Sequence, residues 1–193
     1  MTLKKPNGKA IIFSAPSGAG KTTIVKKILE TKIPLMFSIS ACSRLKRENE
    51  KDGVDYHFLS VEDFKKKIEN DEFIEWEEVY KNNFYGTLKT EVEKIWESGK
   101  HVVFDVDVLG GISLKRYFGK NAISIFINPP SLKILFERLK KRATDNKESL
   151  QKRMNKAESE INYKDQFDVI INNDELDTAV NNTLNIVENF IYK

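Results

Sequence analysis

The run Ala15-Pro16-Ser17-Gly18-Ala19-Gly20-Lys21-Thr22 constrains the fold of this chain more than any other segment. Before it lies an apolar, strand-like run, Ala10-Ile11-Ile12-Phe13, and after it Ile24-Val25-Lys26-Lys27-Ile28-Leu29 has helical character. A strand, a loop of small residues and a helix, in that order, make a phosphate-binding loop. Small residues let backbone N–H groups curl around anionic oxygens, and the helix presents its positive N-terminal end to the same anion. Lys21 is then set to reach the β- and γ-phosphates of a nucleoside triphosphate, the Thr22 hydroxyl to ligate Mg2+, and Thr23 to continue the first helical turn. The first position of the pattern G-x-x-x-x-G-K-[ST] is Ala15, not Gly. Alanine costs little there if φ is negative, whereas Gly18 and Gly20 fill positions expected to need positive φ. The plainer alternative is a glycine-bearing turn between a strand and a helix; the register of Gly20-Lys21-Thr22 favours phosphate.

The rest of the chain supplies what such a loop needs around it. Ala10–Ser14, His101–Asp107, Ala122–Ile127 and Asp168–Asn172 are short and nearly continuously apolar, as expected of parallel strands buried on both faces. Helical patterns over Thr22–Thr31, Leu132–Arg142 and Glu175–Tyr192 separate or follow them, the last with Leu176, Val180, Leu184, Val187 and Ile191 on one stripe. Alternating strands and helices predict an α/β, doubly wound, mostly parallel sheet with ligands at the strand C-terminal ends. The stretch from Ser38 to Thr87 breaks this rhythm. Short strands around Tyr56–Leu59 and Phe73–Val79 flank a helix that begins at a capping-box-like Ser60-Val61-Glu62-Asp63 and runs to about Asn70. A turn at Asn82-Asn83 precedes Phe84-Tyr85-Gly86. This reads as a small inserted α+β lobe. A polar interruption, Ala143–Glu148, separates two basic helices and reads as a mobile lid or as a plain surface loop.

At 193 residues the chain is one domain, or one domain with an inserted lobe. A net charge of +3 is too mild to imply a nucleic-acid surface, and no basic stripe interleaved with aromatics appears. Cys42 is the only cysteine, which excludes an intrachain disulfide and fits a reducing cytoplasm. The apolar run near the N-terminus is too short for a signal peptide or a membrane span. Neither nucleic acid nor membrane is therefore expected as a partner, and oligomeric state is open.

Within the inserted lobe, Arg44 and Arg47 follow a serine-rich strand end, Ser38 to Ser43. Two guanidinium forks can clamp a phosphate bidentately, and Tyr56 and Tyr85 could each add a hydroxyl. Glu75 lies between bulky apolar residues in Phe73-Ile74-Glu75-Trp76. On a strand it points opposite to Ile74 and Trp76, so it is either a solvent-facing carboxylate or an acceptor for two parallel N–H donors. Guanine offers that pair at N1–H and the 2-amino group; adenine does not, and would be rejected by about 10⁴-fold. Asp105 and Asp107 close an apolar strand and share one of its sides. An acid there is the usual partner of a phosphate loop, aimed at Mg2+ or its waters, although Asp107 could equally cap a helix. Arg138, Arg142 and Arg153 crowd the basic helices, where they either neutralise charge in phosphoryl transfer or simply face solvent.

Taken together, Ser14 to Thr22, Ser40 to Arg47, Asp55-Tyr56, Phe73-Ile74-Glu75-Trp76, Tyr85-Gly86-Thr87, Asp105-Val106-Asp107 and Arg138 to Arg153 resemble the guanylate kinase family. The resemblance runs from about Lys9 to Tyr192, with motif order kept. It implies a P-loop three-layer α/β/α core over residues 1–37 and 88–193. It further implies an inserted GMP-binding lobe over 38–87 and a helical lid over 138–153, all closing on one another. The implied reaction is ATP + GMP giving ADP + GDP, with Mg2+. By the resemblance Ser40, Glu75, Thr87 and Asp107 face guanosine, and Arg44, Arg47, Tyr56 and Tyr85 hold the GMP phosphate. Ala15 to Thr23 bind ATP, with Lys21, Thr22 and Asp105 on the ATP–Mg2+ side, Asp105 through water. Arg138, Arg142 and Arg153 are lid or transfer-site arginines, and Asn172 and Asp174 fall near the ATP base. The chain departs from the family in lacking the proline often found between the paired arginines, where Leu45-Lys46 stands. Leu109 replaces a common glutamine, Thr87 a frequent serine, and one extra residue falls near Lys81–Asn83.

Two other classes compete. A non-catalytic guanylate-kinase-like module that binds a protein partner would typically have lost parts of the P-loop or the arginine clamp, all present here. A kinase for another nucleoside monophosphate would not need Glu75 and Thr87. No general base is required, because the attacking phosphate is already anionic at neutral pH, and His57 and His101 read as structural.

Overall fold

A computed structural model of the chain describes residues 8–142 and 147–193, with side chains described outside 141–149. The described chain divides into two compact units, one holding Pro34–Val103 and the chain up to Lys9, the other Ala10–Ile33 and Phe104–Lys193.

The second unit is built on the apolar runs seen in the sequence. Strand β1 (Ala10–Ser14) is buried along its whole length and is followed by helix α1 (Lys21–Leu29). Then come β7 (His101–Val106), whose first half belongs to the other unit, α4 (Val108–Phe118) and β8 (Ala122–Asn128). They are followed by α5 (Leu132–Arg142), α6 (Lys147–Ile161), β9 (Val169–Asn172) and α7 (Leu176–Tyr192). The pairs β1–β8 and β8–β9 run parallel, Ile12 opposite Ser124 and Ile127 opposite Ile171. Continuous burial of β1 follows from helix cover, with α1 and α4 both packed on it. Val108 and Ile112 of α4 pack with Phe126 and Phe167 in one cluster. Gly111 lets α4 approach β1 closely, since a Cβ there would lie 2.2 Å from Ser14 Oγ.

On α7 the buried line is Ala179, Thr183, Val187 and Ile191; Val187 and Ile191 belong to the expected stripe, while Ala179 and Thr183 take the place of its first half. Leu176, Val180 and Leu184 flank that line, half-buried. A threonine is tolerated there because Thr183 donates its hydroxyl to the Ala179 carbonyl at 2.7 Å.

The first unit contains β2 (Leu35–Phe37), β3 (Ala41–Cys42), β4 (His57–Phe58), α2 (Val61–Glu69), β5 (Phe73–Tyr80), β6 (Asn83–Leu88) and α3 (Lys89–Glu97). Strand β2 pairs parallel with β7 from Leu35 opposite His101. Within the second unit the strands lie in the order β7-β1-β8-β9, and the first unit holds a second, smaller sheet of order β4-β3-β6-β5. Ser60 caps α2 as its sequence promised, accepting the Asp63 N–H at 2.9 Å. Phe64 of α2 then stacks on Phe73 and Phe84 at 4.4 and 5.5 Å, and with Ala41 they form the core of this sheet. Cys42 is buried and its thiol is pushed up by desolvation, the signature of an inert structural cysteine. Among the described residues no helix is long and apolar enough to cross a membrane.

Candidate active site

The phosphate loop owes its shape to its glycines. Gly18 and Gly20 sit at φ +95° and +97°, while Ala15 takes no positive φ. Gly20 is also the N-cap of α1, and a Cβ on it would strike Asn173 Nδ2 at 2.4 Å. Ala15 and Ala19 are buried, whereas Ser17, Thr22 and Thr23 are exposed. The helix start carries no acid, so nothing on α1 opposes an anion at its positive end.

Strand β7 ends beside this loop within the same unit and separates its two acids. Asp105 takes Lys21 Nζ at 2.7 Å on Oδ1 and the Thr22 hydroxyl at 3.1 Å on Oδ2. Lys21 Nζ also donates to the Val106 carbonyl. Asp107 instead turns into the N-cap of α4, accepting the Gly110 N–H at 2.9 Å. Its Oδ2 lies 3.6 Å from Lys156 Nζ, and its carbonyl accepts from Ser14 Oγ at 3.0 Å.

Helices α5 and α6 bring more groups to the loop. Arg138 points Nη1 at the Ala19 carbonyl at 3.5 Å, and Arg153 Nη2 stands 3.5 Å from Ser17 Oγ. The Arg142 side chain and residues 143–146, the heart of the expected lid, lie outside the described residues. Glu160 is a group the sequence did not single out. It is 8% exposed, accepts the Ser17 backbone N–H and pairs with Lys156 at 3.8 Å. Burial pushes its carboxyl up, Lys156 pulls it back and Asp107 pushes it further. Asn173 was also missed. Buried after β9, it donates Nδ2 to the Ala19 carbonyl at 2.7 Å, whereas Asn172 is exposed and accepts from Asn128 Nδ2 at 2.8 Å. An open pocket of about 320 Å³ is lined by Gly18, Gly20, Thr23, Arg138, Asn173, Asp174 and Leu176. Asp174 thus lines the space beside the phosphate loop, with Asn173 next to it.

In the other unit the smaller sheet assembles a second constellation. Arg44 donates Nε to Tyr85 Oη at 3.1 Å and lies over the Tyr56 ring at 5.0 Å. Tyr56 and Tyr85 meet edge to face, 6.0 Å between centroids. Arg47 is exposed on the following turn, and Ser40, just before β3, offers its carbonyl to His57 N–H at 2.9 Å. Glu75 and Thr87 stand opposite each other on β5 and β6. Thr87 is fully buried and donates Oγ1 to Glu75 Oε1 at 2.6 Å. A register shift between Phe73 and Glu75 accompanies this arrangement. The carboxylate, not the indole, takes the sheltered side: Glu75 is half-buried and Trp76 is 46% exposed. His57 sits 3.4 Å from Glu91, and His101 accepts the Lys9 N–H at 3.0 Å on Nδ1. Burial lowers the His101 pKa.

A family model described as guanylate kinase matches residues 7–190. The chain belongs to the guanylate kinase family. A curated guanylate kinase of Bacteroides thetaiotaomicron is 50% identical over 192 residues, covering all of this chain and 94% of that protein. The guanylate kinase of Porphyromonas gingivalis is 49% identical, over 96% of this chain and 99% of its own length. Among solved structures, guanylate kinase from Anaplasma phagocytophilum superposes with a TM-score of 0.77 at 29% identity, covering 98% of this chain and 89% of that one. The mixed α/β fold with its mostly parallel sheet is that of the family.

Proposed function

We propose that this chain transfers the γ-phosphoryl group of ATP to GMP, giving ADP and GDP, with the phosphate loop serving ATP and the smaller sheet holding GMP. The observation that carries this reading is the intact phosphate-loop machinery: Lys21 and Thr22 both converge on Asp105 beside two left-handed glycines. A module that only binds protein has no use for that arrangement, and full-length similarity to guanylate kinases selects the reaction.

On the ATP side, Ala15 to Thr23 cradle phosphates, Asn172 and Asp174 belong to the nucleotide-base end, and Arg138, Arg142 and Arg153 neutralise the migrating group. On the GMP side, Arg44, Arg47, Tyr56 and Tyr85 take the phosphate, and Ser40, Glu75, Thr87 and Asp107 the guanosine. Residues 38–87 act as the GMP lobe, 1–37 with 88–193 as the core, and 138–153 as the lid. The Thr22 hydroxyl and the Asp105 carboxylate, 3.1 Å apart, are hard oxygen donors that fit Mg2+. Thr22 would hold it directly and Asp105 through water, and the ion would neutralise phosphate charge. The attacking GMP oxygen is already anionic, so this chain's contribution is alignment and charge compensation, not proton abstraction. A cytoplasmic location fits the lone, buried Cys42.

The test is a coupled assay of ADP formation with ATP–Mg2+ and each of GMP, AMP, UMP and CMP, run beside Lys21→Ala. Turnover is expected with GMP and nearly abolished in the variant. A folded protein inactive with all of them overturns the enzyme reading.

A further inference from the structure

Glu50 has no place in the site read from the sequence, yet it makes the tightest ion pair in the smaller sheet's constellation. Its Oε1 and Oε2 accept from Arg44 Nη2 and Nη1, both at 2.6 Å. The two side chains are only 14% and 15% exposed, so this is a sheltered fork-to-fork contact and not a solvated surface pair. Arg44 Nη1 also donates to the Leu45 carbonyl at 3.0 Å, and Nε to Tyr85 at 3.1 Å. A guanidinium has five N–H donors. One from Nε, two from Nη1 and one from Nη2 are engaged, which leaves one on Nη2. The faces are fixed as well, by the Tyr56 ring at 5.0 Å and the Phe58 ring at 5.6 Å.

Glu50 also organises the loop that carries the second arginine. Its Oε2 accepts the Arg47 backbone N–H at 2.9 Å, while its own N–H donates to the Arg47 carbonyl at 3.1 Å. That closes a turn over Arg47–Glu50 and ties the Arg47 backbone to the carboxylate that holds Arg44.

We propose that Glu50 is a positioning residue for phosphate recognition: it locks the Arg44 guanidinium in one plane and holds the Arg47 turn, so that both arginines meet the GMP phosphate already aligned. The inference rests on Arg44 and Arg47 being GMP-phosphate ligands. It makes Glu50 a permanent brace that stays on Arg44 when GMP binds. Arg44 then contributes its one remaining N–H in a fixed direction, and Arg47 supplies the more adaptable charge. The hydrogen bonds from Arg44 hold the Glu50 carboxyl at about 2, so it stays ionised throughout the neutral range. Prepaid ordering of a long side chain is the general route from a fixed fork to affinity.

The experiment is steady-state kinetics of Glu50→Gln and Glu50→Ala beside Arg44→Ala, with guanosine as a competitive inhibitor that lacks the phosphate. Glu50→Gln keeps the shape but sets an amide donor against Arg44; Glu50→Ala repeats the measurement with different local packing. Expected is a rise of about tenfold or more in KM for GMP in both, since a misaligned Arg44 forfeits its own charge-assisted hydrogen bond to the GMP phosphate and one such bond has that size. KM for ATP and the guanosine inhibition constant should stay within about twofold. If Arg44→Ala raises KM for GMP and neither Glu50 variant does, the brace is wrong and the clamp stands. If Arg44→Ala also leaves KM unchanged, the clamp reading itself falls. A parallel loss of guanosine affinity in the Glu50 variants reduces Glu50 to a generic fold contact and overturns the proposal.

Discussion

Glu75→Gln tests the proposal that Glu75 selects guanine. Thr87 Oγ1 donates to Glu75 Oε1 at 2.6 Å from a fully buried position, and the hydroxyl needs an acceptor in the variant too. A glutamine therefore keeps its carbonyl on Thr87 and swings its –NH2 to where the other carboxylate oxygen was. Guanine N1–H and its 2-amino group would then face a donor in place of one acceptor. Losing one hydrogen bond to a charged acceptor costs about 1.5–3 kcal/mol, which is roughly 10- to 150-fold in kcat/KM. The assay is coupled ADP release with GMP and AMP over a range of concentrations, with thermal unfolding as a control. GMP efficiency should fall by that factor, the GMP-to-AMP ratio should narrow, and the melting temperature should move little. A kcat/KM for GMP within about twofold of the wild type would refute the argument. So would an equal loss with AMP, which would make Glu75 a structural carboxylate.

Two further outcomes follow from the same sheet. Phe64 is fully buried between Phe73 and Phe84, so Phe64→Ala should cost about 3–5 kcal/mol of stability; urea unfolding followed by tryptophan fluorescence would show it, and a loss below about 1 kcal/mol would mean the lobe repacks. Glu50 titrates at about 2 in the folded chain against an ordinary 4.5, so its pairing stabilises fully above about 4.5 and is lost as pH falls toward 2. The melting temperature of the wild type should therefore fall more steeply than that of Glu50→Gln across that acidic window, and parallel curves would contradict the pairing.

Local signals carried much of the architecture. The α2 caps at Ser60 and Asn70, the span of β1 and the left-handed glycines of the phosphate loop all answer to neighbours within a few residues. Helix α4 did not announce itself, because Gly110 and Gly111 are poor helix formers. The reason for Gly111 is β1, nearly a hundred residues earlier in the chain, whose Ser14 leaves no room for a Cβ. Strand β2 is three residues long and takes its identity from pairing with β7, not from its own pattern.

The site divides along the same line. Spacing alone selected Lys21, Thr22 and an acid at the end of β7, since a phosphate loop prescribes its partners by type and position. Which acid meets the loop is a tertiary matter: β7 stops at Val106, and Asp105 meets Lys21 and Thr22 while Asp107 turns to cap α4. Asn173 in place of its neighbour against the phosphate loop, Glu160 beneath Ser17, and Glu50 on Arg44 had no local signature. Each looks like a surface residue in the sequence. Their roles depend on segments brought together across the fold, where sheet register and helix packing decide which polar atoms are sheltered and must find one another. The sequence by itself determined the chemistry on offer and the order of the elements; the tertiary structure decided which groups hold the arginines and the phosphate loop in place.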